Sequence, residues 1–91
     1  MPVAVRLPTV LRGAAGGQSV VQVDGVTIGE VLALLQDAYP GISGQVLTGD
    51  GTLHRFVNVY VNDDDVRYLD QLETKVAPQD VVSILPAVAG G

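Results

Sequence analysis

The chain has 91 residues, 47% of them hydrophobic and 16% charged, with no cysteine and a net charge of −5. This length predicts one domain with one hydrophobic core, the composition argues against disorder, and the lack of cysteine excludes disulfides, thiolate metal sites and a cysteine nucleophile. The chain shows no signal-peptide pattern and has no apolar run near the roughly 20 residues that cross a bilayer, so we expect a cytoplasmic protein with no membrane partner. Because the chain is acidic, we expect a basic or mixed protein partner and no nucleic-acid partner.

Two strands are predicted in the first quarter of the chain. Residues 3–7 alternate between apolar and other side chains, which is typical of a strand with one buried face, and Pro8 marks its end. Residues 12–18 are rich in glycine and predict a loop, and residues 19–23 predict a second strand. Because the two strands are close in sequence, we expect an antiparallel hairpin, and the long loop leaves its register open.

The clearest predicted element is a helix that begins after Thr27 and ends near Ala38, before a Pro-Gly pair at 40–41. Thr27 and Glu30 have the spacing of a capping box, in which the Thr hydroxyl accepts from the N–H of Glu30 and the Glu carboxylate accepts from the N–H of Thr27. One apolar stripe runs along the helix at three- and four-residue steps, namely Ile28, Val31, Leu32, Leu35 and Tyr39. The helix can therefore cover one side of a sheet.

Further strands are predicted in the second half of the chain. Residues 42–52 are weakly patterned, and "TGDGT" at 48–52 predicts a turn. "RFVNVYVN" at 55–62 predicts the strongest strand, with apolar side chains on both faces, and such strands tend to be central in a sheet. After a turn at 62–64, "VRYL" at 66–69 predicts a short return strand.

The remaining segments complete an α+β arrangement. Residues 70–77 predict a connection with one helical turn, 78–80 a turn, and 81–85 a last strand. One main helix serving a mixed sheet of four to five strands, with two strands before it and the others after it, fits a β-grasp (ubiquitin-like) roll. We expect this domain to span residues 1–86, followed by a flexible Gly-Gly tail at 87–91.

The chain ends on "ILPAVAGG", in which five small residues follow a predicted core strand and its proline. A frayed, solvated end is the ordinary interpretation of a terminus. A terminal Gly90–Gly91 pair also has a specific chemical use, because without a Cβ the carboxyl group of Gly91 can enter a narrow cleft and accept attack. A carboxylate reacts only after activation, for example as an acyl adenylate. The tail therefore predicts a carrier that delivers its own terminus into another protein's active site.

Several phrases of the sequence resemble the ThiS/MoaD sulfur-carrier family of ubiquitin-like proteins. "FVNVYVND" and the closing "VVSILPAVAGG" carry this resemblance, and "LHRFVNVYVNDDDVRYL" together with "ILPAVAGG" is most similar to the CysO-type carriers. The opening "VRLPTVLR" and the "YPGIS" after the helix also fit, so the resemblance spans nearly the whole chain. The loop at 13–18 is less typical of the family.

The resemblance implies a mechanism in which the chain is a protein co-substrate and not an enzyme. A ubiquitin-activating-type adenylyltransferase adenylates Gly91 with ATP, and a sulfurtransferase activity then replaces AMP with sulfur to leave a thiocarboxylate. In CysO-type carriers the sulfur attacks an aminoacrylate on a PLP-dependent cysteine synthase, and a metalloprotease releases the cysteine adduct. ATP, PLP and the metal belong to these partners, so we expect no cofactor bound to this chain.

The resemblance also implies roles for particular tail residues. Gly90 and Gly91 match the functional end of the family's tail, and Ala87, Val88 and Ala89 match the extended lead-in that enters the partner. Other family members supply sulfur for thiazole, molybdopterin or thiolated natural products, so the sulfur acceptor stays open. A molybdopterin synthase small subunit and a ubiquitin-like binding or modifier domain are the alternatives.

A docking surface is predicted on the outer face of the sheet, through which ubiquitin-like carriers contact their partners. Phe56, Tyr60 and Leu85 are candidates for it if they point away from the helix, and core packing is the alternative role. His54 is the only histidine, so a transition-metal site is not expected there. Residues 63–65 are acidic but lack the ligand spacing of a calcium loop, which predicts a polar turn.

An autonomous enzyme is disfavoured by the same sequence. The glycine-rich segments at 13–18 and 48–52 are followed by no Walker lysine, and no serine lies in an elbow motif or near the histidine in sequence. Lys75, the sole lysine, predicts an ordinary solvated side chain. The chemistry is therefore expected at the C-terminus and on partner proteins.

Overall fold

The computed structural model describes residues 2–48, 52–54 and 57–86. Five strands form one sheet, β1 (Val3–Arg6), β2 (Val20–Val23), β3 (Val57–Val61), β4 (Asp64–Asp65) and β5 (Val81–Pro86). The described helices are α1 (Thr9–Arg12), α2 (Ile28–Ala38) and short 3₁₀ turns at Gly13–Ala15, Pro40–Ile42, Val66–Tyr68 and Gln71–Glu73.

The strand order is β2-β1-β5-β3-β4, so the last strand in sequence is the middle strand of the sheet. β5 runs parallel to β1, with Val82 opposite Val5, and antiparallel to β3, with Ile84 opposite Val59. The pairs β1–β2 and β3–β4 are antiparallel. The mixed α+β sheet and the N-terminal hairpin are therefore as predicted. The strand predicted at 55–62 has neighbours on both sides, but β5 and not β3 takes the centre.

The start of α2 shows how the sequence fixes a helix end. Thr27 Oγ1 accepts from the N–H of Glu30 at 3.2 Å, as the capping box predicts. The Glu30 carboxylate, however, accepts from the N–H of Val26 at 3.0 Å, so the predicted bond to the N–H of Thr27 is wrong by one residue. Residues 26–28 pair with 74–76 as a short extended stretch, and this pairing brings the N–H of Val26 toward the first turn of α2.

α2 covers one face of the sheet, as predicted. Its apolar stripe Ile28, Val31, Leu32 and Leu35 is fully buried, and Tyr39 packs against the core beyond its last turn. The side chains that the sheet contributes to this core are Val3, Val5, Val21, Val23, Val57, Val59, Val61, Val82 and Ile84, each at most 8% exposed. Because burying one such side chain contributes about 1.5–3 kcal/mol, the contact between α2 and this face is the main source of stability.

A short helix precedes the segment predicted as a loop at 12–18, and a 3₁₀ turn occupies Gly13–Ala15 within it. α1 and the 3₁₀ turn after it bury Leu11 and Ala15 in the core, and the chain then reverses at Gly16 and Gly17, whose φ angles of 68° and 84° favour glycine. The loop predicted at 12–18 is therefore right only at its glycine-rich end. A four-residue helix with one buried side chain shows no sequence period, which is why the pattern missed it.

β4 lies two residues earlier than the predicted return strand. A two-residue turn at 62–63 joins β3 to β4, and Asn62 adopts a φ of 58°, which asparagine tolerates better than most residues. Asp65 then accepts from the N–H of Arg67 at 2.9 Å and caps the 3₁₀ turn Val66–Tyr68. The prediction of a strand for "VRYL" is thus wrong, because a capping carboxylate starts a helical turn there. Of the acidic run predicted as a polar turn, Asp63 lies in the turn, whereas Asp64 and Asp65 form β4, because they pair with Val61 and Tyr60 of β3.

The weakly patterned segment after α2 contributes to the core. Val46 and Leu47 are buried, Leu47 bridges to Leu53, and the N–H of Thr48 donates to the carbonyl of Thr52 at 2.7 Å. These contacts support the turn predicted at this point, whose residues 49–51 lie outside the described part. The longest described helix has 11 residues, and no described helix meets the length and apolarity of a membrane span.

Candidate functional site

The end of β5 is the point from which the chain continues toward its C-terminus. Pro86, the last described residue, is paired with Val57 of β3, and Ile84 is 1% exposed in the core. The position of β5 is fixed by hydrogen bonding to strands on both sides, with β1 paired along residues 81–83 and β3 along residues 82–86. The predicted lead-in Ala87, Val88 and Ala89 and the predicted sulfur-carrying pair Gly90 and Gly91 lie outside the described residues.

The sheet face opposite α2, which we call the outer face, carries a mixture of side chains. It is made of the strand residues that alternate with the core set, namely Ala4, Arg6, Val20, Gln22, Asn58, Tyr60, Val81, Ser83 and Leu85. All of these are half-buried or exposed, and Leu85 is 47% and Val20 42% exposed. An exposed apolar side chain next to the end of β5 is a suitable contact for a partner that receives the C-terminus.

Two of the three predicted docking residues can be placed on this face. Tyr60 lies opposite Ser83, and Leu85 lies opposite Asn58, so both belong to the outer face and point away from α2. Phe56 lies outside the described residues. Their orientation is therefore as the docking hypothesis requires for Tyr60 and Leu85, and their contact with a partner stays a prediction.

Two open depressions flank the end of β5. The larger one lies on the outer face, and Arg6, Arg12, Tyr60, Ser83 and Leu85 are among the residues that line it. The other is a smaller, mostly apolar groove beside α1. Neither is a closed pocket for a small molecule, so a protein surface is the kind of ligand that fits this end of the molecule.

Arginine side chains surround this same end of the sheet. Arg12 Nε donates to the carbonyl of Leu7 at 3.1 Å, and Arg67 donates to Asn58 Oδ1 and, at 2.9 Å, to the carbonyl of Val57. These bonds fix two guanidinium groups on either side of the end of β5. Sequence reasoning missed them, because the residues are far apart in the chain and only the sheet brings them together.

Other sequence candidates do not join this site as reactive groups. His54 is half-buried and lines the apolar groove, and its backbone N–H donates to the carbonyl of Val46 at 2.8 Å. Lys75 is exposed beside Thr27. Within residues 2–48, 52–54 and 57–86, no cluster of histidine and carboxylate side chains has the grouping of a metal site.

The fold defines the class of protein first. One helix packed across a mixed five-stranded sheet, with the C-terminal strand in the middle, is the β-grasp architecture of ubiquitin-like proteins. A chain in the crystal structure of the Amycolatopsis orientalis BexX/CysO complex matches it with a TM-score of 0.88 and 44% identity, over 98% of this chain and 99% of that one. The crystal structure of Mycobacterium tuberculosis CysO matches with a TM-score of 0.87 and 49% identity, over 94% and 99% of the two chains.

The sequence comparisons then define the family. The ThiS family model matches residues 5–91, and the sulfur carrier protein CysO of Mycobacterium tuberculosis is 50% identical over 93 aligned residues that cover both chains completely. The chain belongs to the ThiS family. The predicted resemblance is confirmed, and the chain is a ubiquitin-like sulfur carrier protein and not an enzyme.

Proposed function

We propose that the α-carboxylate of Gly91 is the group that carries sulfur. An adenylating enzyme of the ubiquitin-activating type joins this carboxylate to the AMP portion of ATP and releases pyrophosphate. A reduced sulfur donor, sulfide or a persulfide with a reductant, then attacks the acyl carbon, so that a C–S bond forms, the C–O bond to phosphate breaks and AMP leaves. The product is a Gly91 thiocarboxylate, whose sulfur is the nucleophile given to a biosynthetic enzyme.

The observation that carries this proposal is the position of β5. It is the middle strand of the sheet, paired with β1 along residues 81–83 and with β3 along residues 82–86, and the Gly-Gly terminus follows five residues later. Five residues extend at most about 17 Å, which is enough to cross a cleft from a fixed base. The absence of a Cβ at Gly90 and Gly91 leaves room for attack on the acyl carbon.

We propose cysteine biosynthesis as the pathway that uses this sulfur. The support is the full-length identity of 50% to proteins named CysO. In this proposal a PLP-dependent cysteine synthase accepts the sulfur and a metalloprotease releases the product, so ATP, PLP and metal stay on the partners. A thiolating enzyme of natural-product synthesis is the allied acceptor, and the molybdopterin synthase small subunit is the alternative role. Because adenylation uses ATP, we place this chemistry in the cytoplasm.

We propose that the partner receives residues 87–89 in its cleft while its surface contacts the outer face. Leu85 and Tyr60 are the described apolar and aromatic side chains of that face nearest the end of β5, and Phe56 completes the predicted docking set. Domain 1–86 does no chemistry in this account. Its role is to present the terminus at a fixed distance from a recognised surface.

Deleting Gly90–Gly91 tests the proposal against the binding-module alternative. The deletion lies beyond the strand that closes the core, so the variant is expected to fold with an unchanged urea midpoint. Formation of cysteine or another thiolated product with the activating and accepting enzymes is expected to fall to background. A variant that lacks both glycines and still supports product formation would overturn the proposal and favour a noncovalent binding or modifier role.

A further inference from the structure

The charges of this acidic chain are unevenly placed. The described arginines, Arg6, Arg12 and Arg67, lie on the outer face or at its rim, and Arg6 is opposite Ser83, three residues before the end of β5. The remaining described cation, Lys75, lies at a separate bridge next to the start of α2. The depression on the outer face is lined by two arginines and one carboxylate, Asp63, so it is more basic than the whole chain, which carries −5.

Arg6 differs from the other two arginines because nothing in the described structure holds its guanidinium group. Arg12 and Arg67 donate to backbone carbonyls, whereas Arg6 is exposed and makes no side-chain hydrogen bond or ion pair within the described ranges 2–48, 52–54 and 57–86. An exposed arginine with five free donors is suited to planar, two-point binding of a carboxylate or phosphate.

The sheet register places Arg6 on β1, between the edge strand β2 and the middle strand β5. One row of paired residues crosses all five strands in the order Val20, Arg6, Ser83, Tyr60 and Asp65. Neighbouring strands are about 4.8 Å apart, so the backbone of Asp65, three strands away, is about 14 Å from that of Arg6. Asp63 lines the same depression at the β3–β4 turn, so the acidic side of this face is the side away from Arg6.

The distance from Arg6 to the reacting terminus decides between phosphate and carboxylate as its ligand. Ser83, the partner of Arg6, is three residues before Pro86, which is about 10 Å along the strand. In the proposed function the tail extends from Pro86 into the partner's cleft, so the acyl phosphate of an adenylate would lie up to about 17 Å beyond Pro86, on the side away from Ser83. Arg6 therefore faces the partner's outer surface and not the nucleotide, and the anions on a protein surface are carboxylates.

We propose that Arg6 pairs with an acidic side chain of the adenylating enzyme, at the mouth of the cleft that receives the C-terminus, beside apolar contacts to Val20 and Leu85. This inference rests on the proposed function, since it identifies the surface of the enzyme that activates Gly91. Opposite charges bring the two surfaces together in one orientation, and the apolar pair excludes water around the ion pair. The partner is thus acidic where it meets Arg6, in contrast to the basic partner that the net charge alone suggests.

Charge reversal at Arg6 tests the proposal, with Lys75→Glu as a control that makes the same change in net charge. The assay is carrier-dependent ATP–pyrophosphate exchange by the adenylating enzyme purified from the source organism, together with direct binding of carrier to that enzyme without ATP. We expect Arg6→Glu to raise the KM for carrier and weaken binding by about tenfold or more, Arg6→Lys to restore part of the loss, and Lys75→Glu to change both by less than about twofold. Added salt should weaken the wild type more than Arg6→Glu. Because the Arg6 side chain makes no contact that holds the fold, the urea midpoints of all variants should agree.

Each outcome of this experiment separates the inference from the proposed function. If the wild type is activated and Arg6→Glu behaves like Lys75→Glu, the inference is overturned and the carrier function stands. If Arg6→Glu impairs only transfer to the sulfur acceptor, or only self-association seen by light scattering, the assignment to the adenylating enzyme is overturned. If the wild type binds through Arg6 but is never adenylated, the docking surface stands and the carrier function fails. Absence of any binding overturns both.

Discussion

The two faces of the sheet are built from alternate residues of the same strands, and they differ in almost every property. On the side of α2, nine valine and isoleucine side chains are at most 8% exposed. On the outer face, the same strands present arginine, glutamine, asparagine, tyrosine and serine beside the aliphatic Ala4, Val20, Val81 and Leu85. β5 contributes to both, with Ile84 in the core and Leu85 on the surface. If the outer face contacts partners as proposed, residues for stability and residues for recognition alternate along the same strand.

The strongest test of this separation compares these two neighbours in β5. Ile84→Ala should lower the free energy of unfolding by about 2–5 kcal/mol, because it leaves a cavity in the core, where Ile84 is 1% exposed. Leu85→Ala should cost less than about 1 kcal/mol, since the side chain is 47% exposed. Urea unfolding followed by circular dichroism measures both.

The same pair should reverse its order in a functional assay. Below the unfolding transition, Ile84→Ala should retain the affinity of the wild type for the adenylating enzyme, whereas Leu85→Ala should bind more weakly. Equal stability losses at the two positions, or a binding loss confined to Ile84→Ala, would contradict the division of roles between the two faces.

A smaller effect is expected where the chain enters α2. Gly25 has a φ of 149°, and a Cβ there would lie 2.8 Å from Val31 Cγ2 and 3.0 Å from its backbone nitrogen. Gly25→Ala should therefore destabilise the fold by about 1–3 kcal/mol. Gly13→Ala is the matched control, because its backbone is helical and its Cβ would meet nothing within 4 Å; it should be neutral or stabilise by about 0.4–1 kcal/mol. A similar loss at both glycines would show that the packing against Val31 is not what requires glycine.

The smallest expected effect concerns the cap of α2. Thr27→Ala removes the hydroxyl that accepts from the N–H of Glu30 and should cost about 1 kcal/mol. Thr9→Ala is the control, since Thr9 is exposed and its side chain makes no hydrogen bond among the described residues. Thermal unfolding of the two variants side by side measures the difference. An unchanged midpoint for Thr27→Ala would show that the Thr27 cap does not stabilise the fold.

Much of the fold could be predicted from the sequence where many residues repeat one pattern. The stripe on α2 and the alternation in β1 and β3 each involve several side chains, so period alone identified them. α1 and β4 were missed or misplaced because four and two residues carry no period. The position of β4 depends on backbone pairing with β3, and the cap by Asp65 starts a 3₁₀ turn where a strand was predicted. The central place of β5 depends on contacts between the two ends of the chain, which no local pattern reports.

The candidate site, like the fold, could be predicted from the sequence only in part. The Gly90–Gly91 pair could be proposed as the sulfur-carrying end from the sequence alone, because the proposal depends only on two adjacent residues at the terminus. The docking face is not, because the direction of Tyr60 and Leu85 depends on which side α2 covers. The row that joins Val20, Arg6 and Ser83 is assembled from separate parts of the chain, so the place of Arg6 on the outer face is visible only in the sheet.

The most direct test of the central claim is the mass of the C-terminal peptide after reaction. The chain is incubated with ATP, the adenylating enzyme and a sulfur donor, digested, and measured by tandem mass spectrometry. We predict a gain of about 16 Da, the replacement of one oxygen by sulfur, confined to the fragment that ends at Gly91. An unaltered terminal fragment in the presence of an enzyme that activates a known relative, or a gain located at any other residue, would contradict the account.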